Sequence, residues 1–168
     1  MDAVLDRLRA TAFFQPLKED CRAEIARVGC WHSLAGGTSV FEQGAPAQSL
    51  HFLLSGRLIV VRKNESGYEV VGYIRAGEPV GEMSLLSGEH HSASVFALRD
   101  SEILSIPREA FDALCEHHAD FVAELARLTL RRAREPALSF SKSAPRIFAL
   151  VASSRSIDID GYAERLVR

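Results

Sequence analysis

The stretch Val80-Gly81-Glu82-Met83-Ser84-Leu85-Leu86-Ser87-Gly88-Glu89-His90-His91-Ser92-Ala93-Ser94-Val95-Phe96-Ala97 decides how this chain is read. Glycine at 81 lets the backbone turn tightly or approach a ligand closely. Glu82 starts a short apolar turn, Met83 to Leu86, and Gly88 ends it. Amide groups at the start of such a turn can receive an anion. Small polar residues Ser92 and Ser94 then open a strand. A carboxylate beside an amide nest suits a ligand with both an anion and a hydroxyl, since the carboxylate accepts from the hydroxyl while the amides take the anion. A phosphorylated ribose is such a ligand.

The rest of the chain is consistent with one compact unit around that segment. It has 168 residues, 47% hydrophobic and 25% charged, ordinary for a globular domain and unlike a disordered chain. The net charge of −2 lacks the global basic field of a protein that wraps nucleic acid. The longest apolar runs, Leu50 to Leu54 and Leu58 to Val61, fall far short of the ~20 residues a membrane span needs. The amino terminus carries Asp2, Asp6, Arg7 and Arg9, so it holds no signal-peptide apolar core. Three cysteines, Cys21, Cys30 and Cys115, include no CxxC pair. A reduced, cytoplasmic setting with the thiols as small buried hydrophobes is the expectation.

Periodicity divides the chain into three regimes. Val4, Leu5, Leu8 and Ala12 share a helical face, and Cys21, Ile25 and Val28 mark a second helix from Lys18 to Val28. Residues 31 to 107 are rich in short apolar runs punctuated by glycine, which predicts antiparallel strands in a sandwich or barrel. Leu58 to Lys63 and Tyr68 to Arg75 flank Asn64-Glu65-Ser66-Gly67, a hairpin signal. Helix returns after Pro107, first with Phe111, Leu114 and Cys115, then with Phe121, Leu125 and Leu128. Arg127, Arg131, Arg132 and Arg134 load its carboxyl end, and a solvated, dipole-complementing role is expected of them. Residues 135 to 145 are expected to be a linker. Residues 146 to 168 would begin a further segment, a strand over Ile147 to Ala152 and then a helix-like pattern that breaks off at Arg168.

The 80–97 stretch resembles the phosphate-binding cassette of cyclic nucleotide-binding domains. Val80, Gly81, Glu82, Ser84, Leu85, Ser92, Ala93 and Val95 match that pattern at its spacing. Upstream, Val40-Phe41, Gly44, Ala47, the Leu50 to Leu54 strand and Gly56 match a second signature, interrupted by His51. The resemblance spans residues 10 to 134. It implies a mainly β fold, an eight-stranded double-stranded β-helix or jelly-roll with helices at both ends, occupying residues 1–134. It also implies a ligand, cAMP or cGMP, held by Gly81, Glu82, Met83, Ser84, His91, Ser92, Ala93 and Ser94. Glu82 would accept from the ribose 2′-hydroxyl. The Gly81 to Met83 backbone and Ser92 would meet the cyclic phosphate. The helix 120–134 would be a lid or dimer helix.

One position departs from the family pattern: His91 stands where the cassette has an arginine. Arginine offers permanent charge and a bidentate fork. Neutral histidine offers one donor, and its charge appears only near or below its ordinary pKa of about 6.5. Losing a charged partner of a buried phosphate costs about 2–5 kcal/mol, roughly 30- to several-thousand-fold in affinity. Two readings follow. Either His91, with His90, receives a phosphate or another small anion, or the cassette is a relic and the domain works by contact with other domains. The size of the lost contact tips the expectation toward weak or absent nucleotide binding.

No catalytic constellation is visible. Glu82 has no nucleophile or second titratable partner, and Ser84 is followed by Leu85, so a GxSxG elbow is incomplete. His90-His91 and His117-His118 have no metal-ligand spacing and read as solvated. Met83 and Phe96 read as core, and Trp31 as core or interface. Two larger settings are compatible. In catabolite-activator-type regulators a helix-turn-helix follows the long helix, but no recognition-helix pattern follows Arg134, so DNA binding is not expected of this chain. In patatin-type phospholipases similar to neuropathy target esterase, a domain of this kind precedes a serine hydrolase. Pro145 to Ala152 and Asp158 to Val167, with Ala97 to Glu102, resemble bacterial members of that group. The serine would then lie beyond Arg168, and a following domain would be an intramolecular partner. A free-standing module is the third setting.

Overall fold

The computed structural model describes residues 2–134. The expected linker at 135–145 and the expected segment at 146–168 lie outside the described residues. Helix α1, Asp2–Ala10, and α2, Glu19–Val28, are joined through a 3-10 turn at Ala12–Phe14. The strands are β1 (Cys30–Leu34), β2 (Ser39–Phe41), β3 (Ser49–Asn64), β4 (Gly67–Ile74), β5 (Pro79–Val80) and β6 (Ser94–Pro107). Helix α3, Glu82–Ser87, lies between β5 and β6, and α4 (Arg108–His117) and α5 (Ala119–Arg134) follow.

All pairings are antiparallel, in the order β1-β6-β3-β4, with β2 also on β6 and β5 also on β3. The mainly β fold with flanking helices is therefore the one expected. Six strands among the described residues do the work of the eight expected. β3 and β6 are single strands of 16 and 14 residues that run through a bend. Their mutual register shifts between Leu53 and Ser55, between Ser55 and Arg57, and between Arg57 and Leu58. Each thus serves on both sides of the bend, where two shorter strands were anticipated. Bulges of this kind sharpen local twist.

Gly56 sits at that bend with φ +100°, and a Cβ there would come within 2.6 Å of Ser101 Cα and 2.7 Å of Asp100 O. Only glycine fits both the left-handed backbone and the close approach of β6. The β3–β4 hairpin turns at Glu65-Ser66, pairing Asn64 with Gly67. The Ser66 N–H donates to Asn64 Oδ1 at 3.0 Å, the side-chain turn that makes asparagine favourable there.

Two apolar clusters hold the unit together. The larger joins the helices to the sheet through Leu8, Phe14, Ile25, Phe52, Phe111 and Phe121. The smaller is built by the strands, with Leu53, Leu58, Ile74, Val80, Val95 and Ile103 buried and Phe41 packed against them. The 3-10 turn matters because it drives Phe13 and Phe14 inward onto Phe52, with ring centroids 4.7 and 4.6 Å apart. Trp31 is half-buried against the larger cluster, with the Arg7 guanidinium 5.5 Å above its ring. The cysteines do not behave alike: Cys21 is buried and Cys115 half-buried, but Cys30 is exposed. Cys30 opens β1, which lies at the end of the sheet path and, among the described residues, is paired with strand β6 alone.

Candidate functional site

The cassette is a turn, a short helix and a return strand. Gly81 caps α3 with φ +90°, and a Cβ there would touch Phe41 and the Ser49 carbonyl, each at 3.4 Å. The position therefore requires glycine on both counts. Gly88 closes the helix in the left-handed region, φ +74°, as a C-terminal glycine does. The segment after α3 is tied back to the β2–β3 connection. The His91 N–H donates to Ala45 O at 2.9 Å, and the Gly44 N–H donates to His91 O at 2.8 Å.

His91 is not solvated. It is 5% exposed, and its ring stacks on Phe41 at 3.7 Å between centroids and 12° between planes. Its Cε1 would lie 3.5 Å from a Cβ at Gly81, so the ring lies against the start of the cassette. Burial, with a smaller push from His90, lowers its pKa below the usual histidine value. The imidazole is accordingly neutral at pH 7. Phe41 also neighbours His51, at 5.8 Å between rings. His51 pairs in register with Val80 and Ser105, and its Nδ1 hydrogen-bonds Ser105 Oγ at 2.8 Å. Burial foremost, then His91 and His32, brings the His51 pKa down to about 4.

This sets an acid limit on stability. An unfolded histidine takes up its proton near pH 6.5, whereas folded His51 resists until about 4. Between those values the unfolded chain binds more protons, so stability falls as pH falls. His51 alone should remove about 2 kcal/mol between pH 7 and pH 5, and His91 acts in the same direction. Denaturant unfolding at the two pH values should show a loss that His51→Phe largely abolishes. An equal loss in that variant would place the effect elsewhere.

Glu82, 2% exposed, is already engaged. Arg132 of α5 donates to its Oε1 through Nη1, and through Nη2 to Pro79 O at 2.8 Å. Glu78 stands 3.8 Å from the same guanidinium. The arginines of α5 therefore divide. Arg127 and Arg131 pair with Glu124 on their own helix, at 3.1 and 3.7 Å, while Arg132 leaves the solvated role expected of it and reaches across to the cassette. Removing one partner of a buried ion pair leaves the other without compensation. A double-mutant cycle of Glu82→Gln and Arg132→Met should give a coupling of at least about 1 kcal/mol. Additive losses would mean the pair is not formed in solution.

The remaining candidate residues are dispersed. Met83 is 58% exposed, so its side chain is neither core nor positioned at the site, and only its backbone belongs to the turn. Ser84 and Ala93 are buried, and Ser92 is exposed. Ser94 Oγ accepts the Gln43 N–H at 2.9 Å and is committed to holding β2 near β6. The structure thus brings Gly81, Glu82 and His91 together and adds Phe41, His51 and Arg132. A cavity of about 720 Å³ lies nearby, lined by Ala47, Gly88, Glu89, His90, Pro107 and Arg108, but none of the three central cassette residues borders it. Arg132 had a signal in the sequence. Phe121, Leu125, Leu128 and Arg132 are spaced by four, three and four, so the arginine continues the buried face of α5.

A curved antiparallel sheet with an αL-capped cassette helix and a closing C-terminal helix defines a cyclic nucleotide-binding-type fold. The profile of the cyclic nucleotide-binding domain matches residues 31–118, more than half the chain, and the chain belongs to that family. It is 35% identical to the lysophospholipase NTE1 of Lodderomyces elongisporus over 104 residues, covering 58% of this chain and 7% of that protein. With the same enzyme of Pyricularia oryzae it shares 27% over 106 residues, 62% of this chain and 7% of the relative. The chain thus spans less than a tenth of the length of these curated relatives. Among solved structures it is similar to the catabolite activator protein of Thermus thermophilus, with TM-score 0.66, 31% identity, 73% of this chain and 58% of that one covered. The regulatory subunit of a cAMP-independent protein kinase A from Trypanosoma brucei shares the fold, with TM-score 0.70, 18% identity and coverage of 83% and 49%. No helix among the described residues is long and apolar enough to cross a membrane.

Proposed function

We propose that this chain is a non-catalytic regulatory domain that binds cAMP and cGMP weakly or not at all at neutral pH and acts through contact with another domain. The observation that carries this reading is His91, neutral, buried and stacked on Phe41 at the position where the family's arginine would meet the cyclic phosphate. A neutral imidazole packed between Phe41 and Gly81 supplies neither the charge nor the fork that phosphate needs. The carboxylate that would accept from a ribose hydroxyl is also held by Arg132. A nucleotide would have to displace one ion pair without gaining another.

The partner domain we favour is a patatin-like phospholipase domain in the same polypeptide, in a cytoplasmic protein. The support is the similarity to lysophospholipases, which is confined to a small part of their length. Calorimetric titration of the chain with cAMP and with cGMP at pH 7 tests the ligand half. Absent or weak heats are expected. Submicromolar binding of either nucleotide would overturn it.

A further inference from the structure

A second cluster of chemistry lies away from the cassette, where the amino-terminal helices meet the joint between α4 and α5. Cys21, in the first turn of α2, His118, the residue linking the two C-terminal helices, and Asp120, in the first turn of α5, bring a sulfur, a ring nitrogen and a carboxylate oxygen within 4.8 Å of one another. Cys21 lies 97 positions from His118 and 99 from Asp120 along the chain, so their meeting is a product of the fold. We propose that Cys21, His118 and Asp120 form a zinc site that fastens α2 to the α4–α5 joint.

Three observations favour an ion over plain packing. The Cys21 side chain is fully buried within the apolar cluster that also holds Ile25, Phe121 and Leu125, yet its sulfur lies within 4.8 Å of an imidazole nitrogen and a carboxylate oxygen. The His118 backbone is fixed, its N–H donating to Leu114 O at 2.9 Å and its carbonyl accepting from the Val122 N–H at 3.3 Å. The ring is therefore presented from a rigid joint. Asp120 is held as well: its Oδ2 accepts the Lys18 N–H at 2.6 Å, a hydrogen bond that pins the carboxylate beside the start of α2.

The donor set selects the metal. One thiolate, one imidazole and one carboxylate suit zinc, whereas magnesium and calcium prefer oxygen alone. Zinc bonds of about 2.0–2.3 Å place donor atoms about 3.5 Å apart, so the three groups need to close by about 1 Å, within reach of side-chain rotation. Binding replaces the thiol proton of Cys21 by the metal and releases that proton to solvent. Thiolate and carboxylate together then balance the divalent charge. His118 and Asp120 are half-buried, which leaves a route for the ion and a fourth position for water. The site is independent of nucleotide binding and stands or falls separately from the proposed function.

Cobalt(II) titration of the chelator-stripped full chain tests it, because a cobalt-bound thiolate gives a charge-transfer absorption that oxygen and nitrogen ligands do not. One equivalent per chain is expected, displaced by zinc. Cys21→Ser should abolish the band. Cys30→Ser, at an exposed position, should leave it unchanged. His118→Ala, at a half-exposed position that keeps the core intact, should weaken zinc binding at least about tenfold, the smallest effect seen even for outer-shell changes. This variant decides the matter if Cys21→Ser folds poorly. Absence of saturable cobalt binding, a band that follows Cys30 instead of Cys21, or unchanged zinc affinity in His118→Ala would each overturn the proposal.

Discussion

His91→Arg is expected to raise the affinity of this domain for cAMP and cGMP by at least about 30-fold. The cassette otherwise carries the family's shape: the αL glycine at 81, the buried carboxylate at 82 and the short helix closed by Gly88. The substitution supplies the missing charge at a position whose backbone is fixed to Gly44 and Ala45 by two hydrogen bonds. The guanidinium would be born next to Gly81, the start of the amide turn. His91→Lys should recover less, because an ammonium gives charge without the fork. Adding Arg132→Ala should strengthen binding further by freeing Glu82. Calorimetry at pH 7 on the wild-type chain and these variants reads all three effects. Wild-type and His91→Arg chains with equal affinity would mean that position 91 is not what limits nucleotide binding.

Phe52→Ala should destabilise the domain by about 3–5 kcal/mol. Phe52 has no solvent exposure and lies at the meeting point of sheet and helices, with the rings of Phe13 and Phe14 packed against it at tilts of 50° and 51° from the amino-terminal turn. Its removal would empty the one fully buried aromatic position that the sheet contributes to that cluster among the described residues. Aromatic pairs add about 0.5–1.5 kcal/mol beyond area burial, so the loss should lie toward the upper part of the range. The unfolding midpoint in denaturant, with an unchanged slope, is the reading that counts. A loss below about 1 kcal/mol would show that the helices hold together without the sheet.

The sequence made the elements and the cassette legible because both are local. The hairpin turn at residues 64–67, the glycine caps of α3 and the helical faces of α2, α4 and α5 are each written in a few consecutive residues. The continuity of β3 and β6 through their bends was not legible, because a bulge preserves the apolar run while shifting the partner. His91 was recognised as the departure, but its burial depends on Phe41, some 50 positions earlier. His51 stood out as a polar interruption, and its depressed pKa depends on a register with Val80 and Ser105 that no local pattern contains. Cys21 was read as a small buried hydrophobe, and it is one, but its nearness to His118 and Asp120 lies in no local pattern. Arg132 is the instructive exception: its place on the buried stripe of α5 was readable, but a cluster of four arginines at a helix end invited an explanation by the dipole alone.

The central role of β6 has a further consequence, for how the chain acquires its structure. β1, β2 and much of β3 all pair with it, and Cys30 waits for Ser105 as its register partner. At about 5–20 residues per second of synthesis, that partner emerges roughly 4–15 s later. The β3–β4 hairpin can form within microseconds of its own completion, but β1 and β2 remain unpaired edges until β6 arrives. Such distant pairings place the domain among slow, high-contact-order folders. The early exposure of Trp31, Val40 and Phe41 on unpaired strands makes the nascent amino-terminal half the part of this molecule most dependent on protection from aggregation.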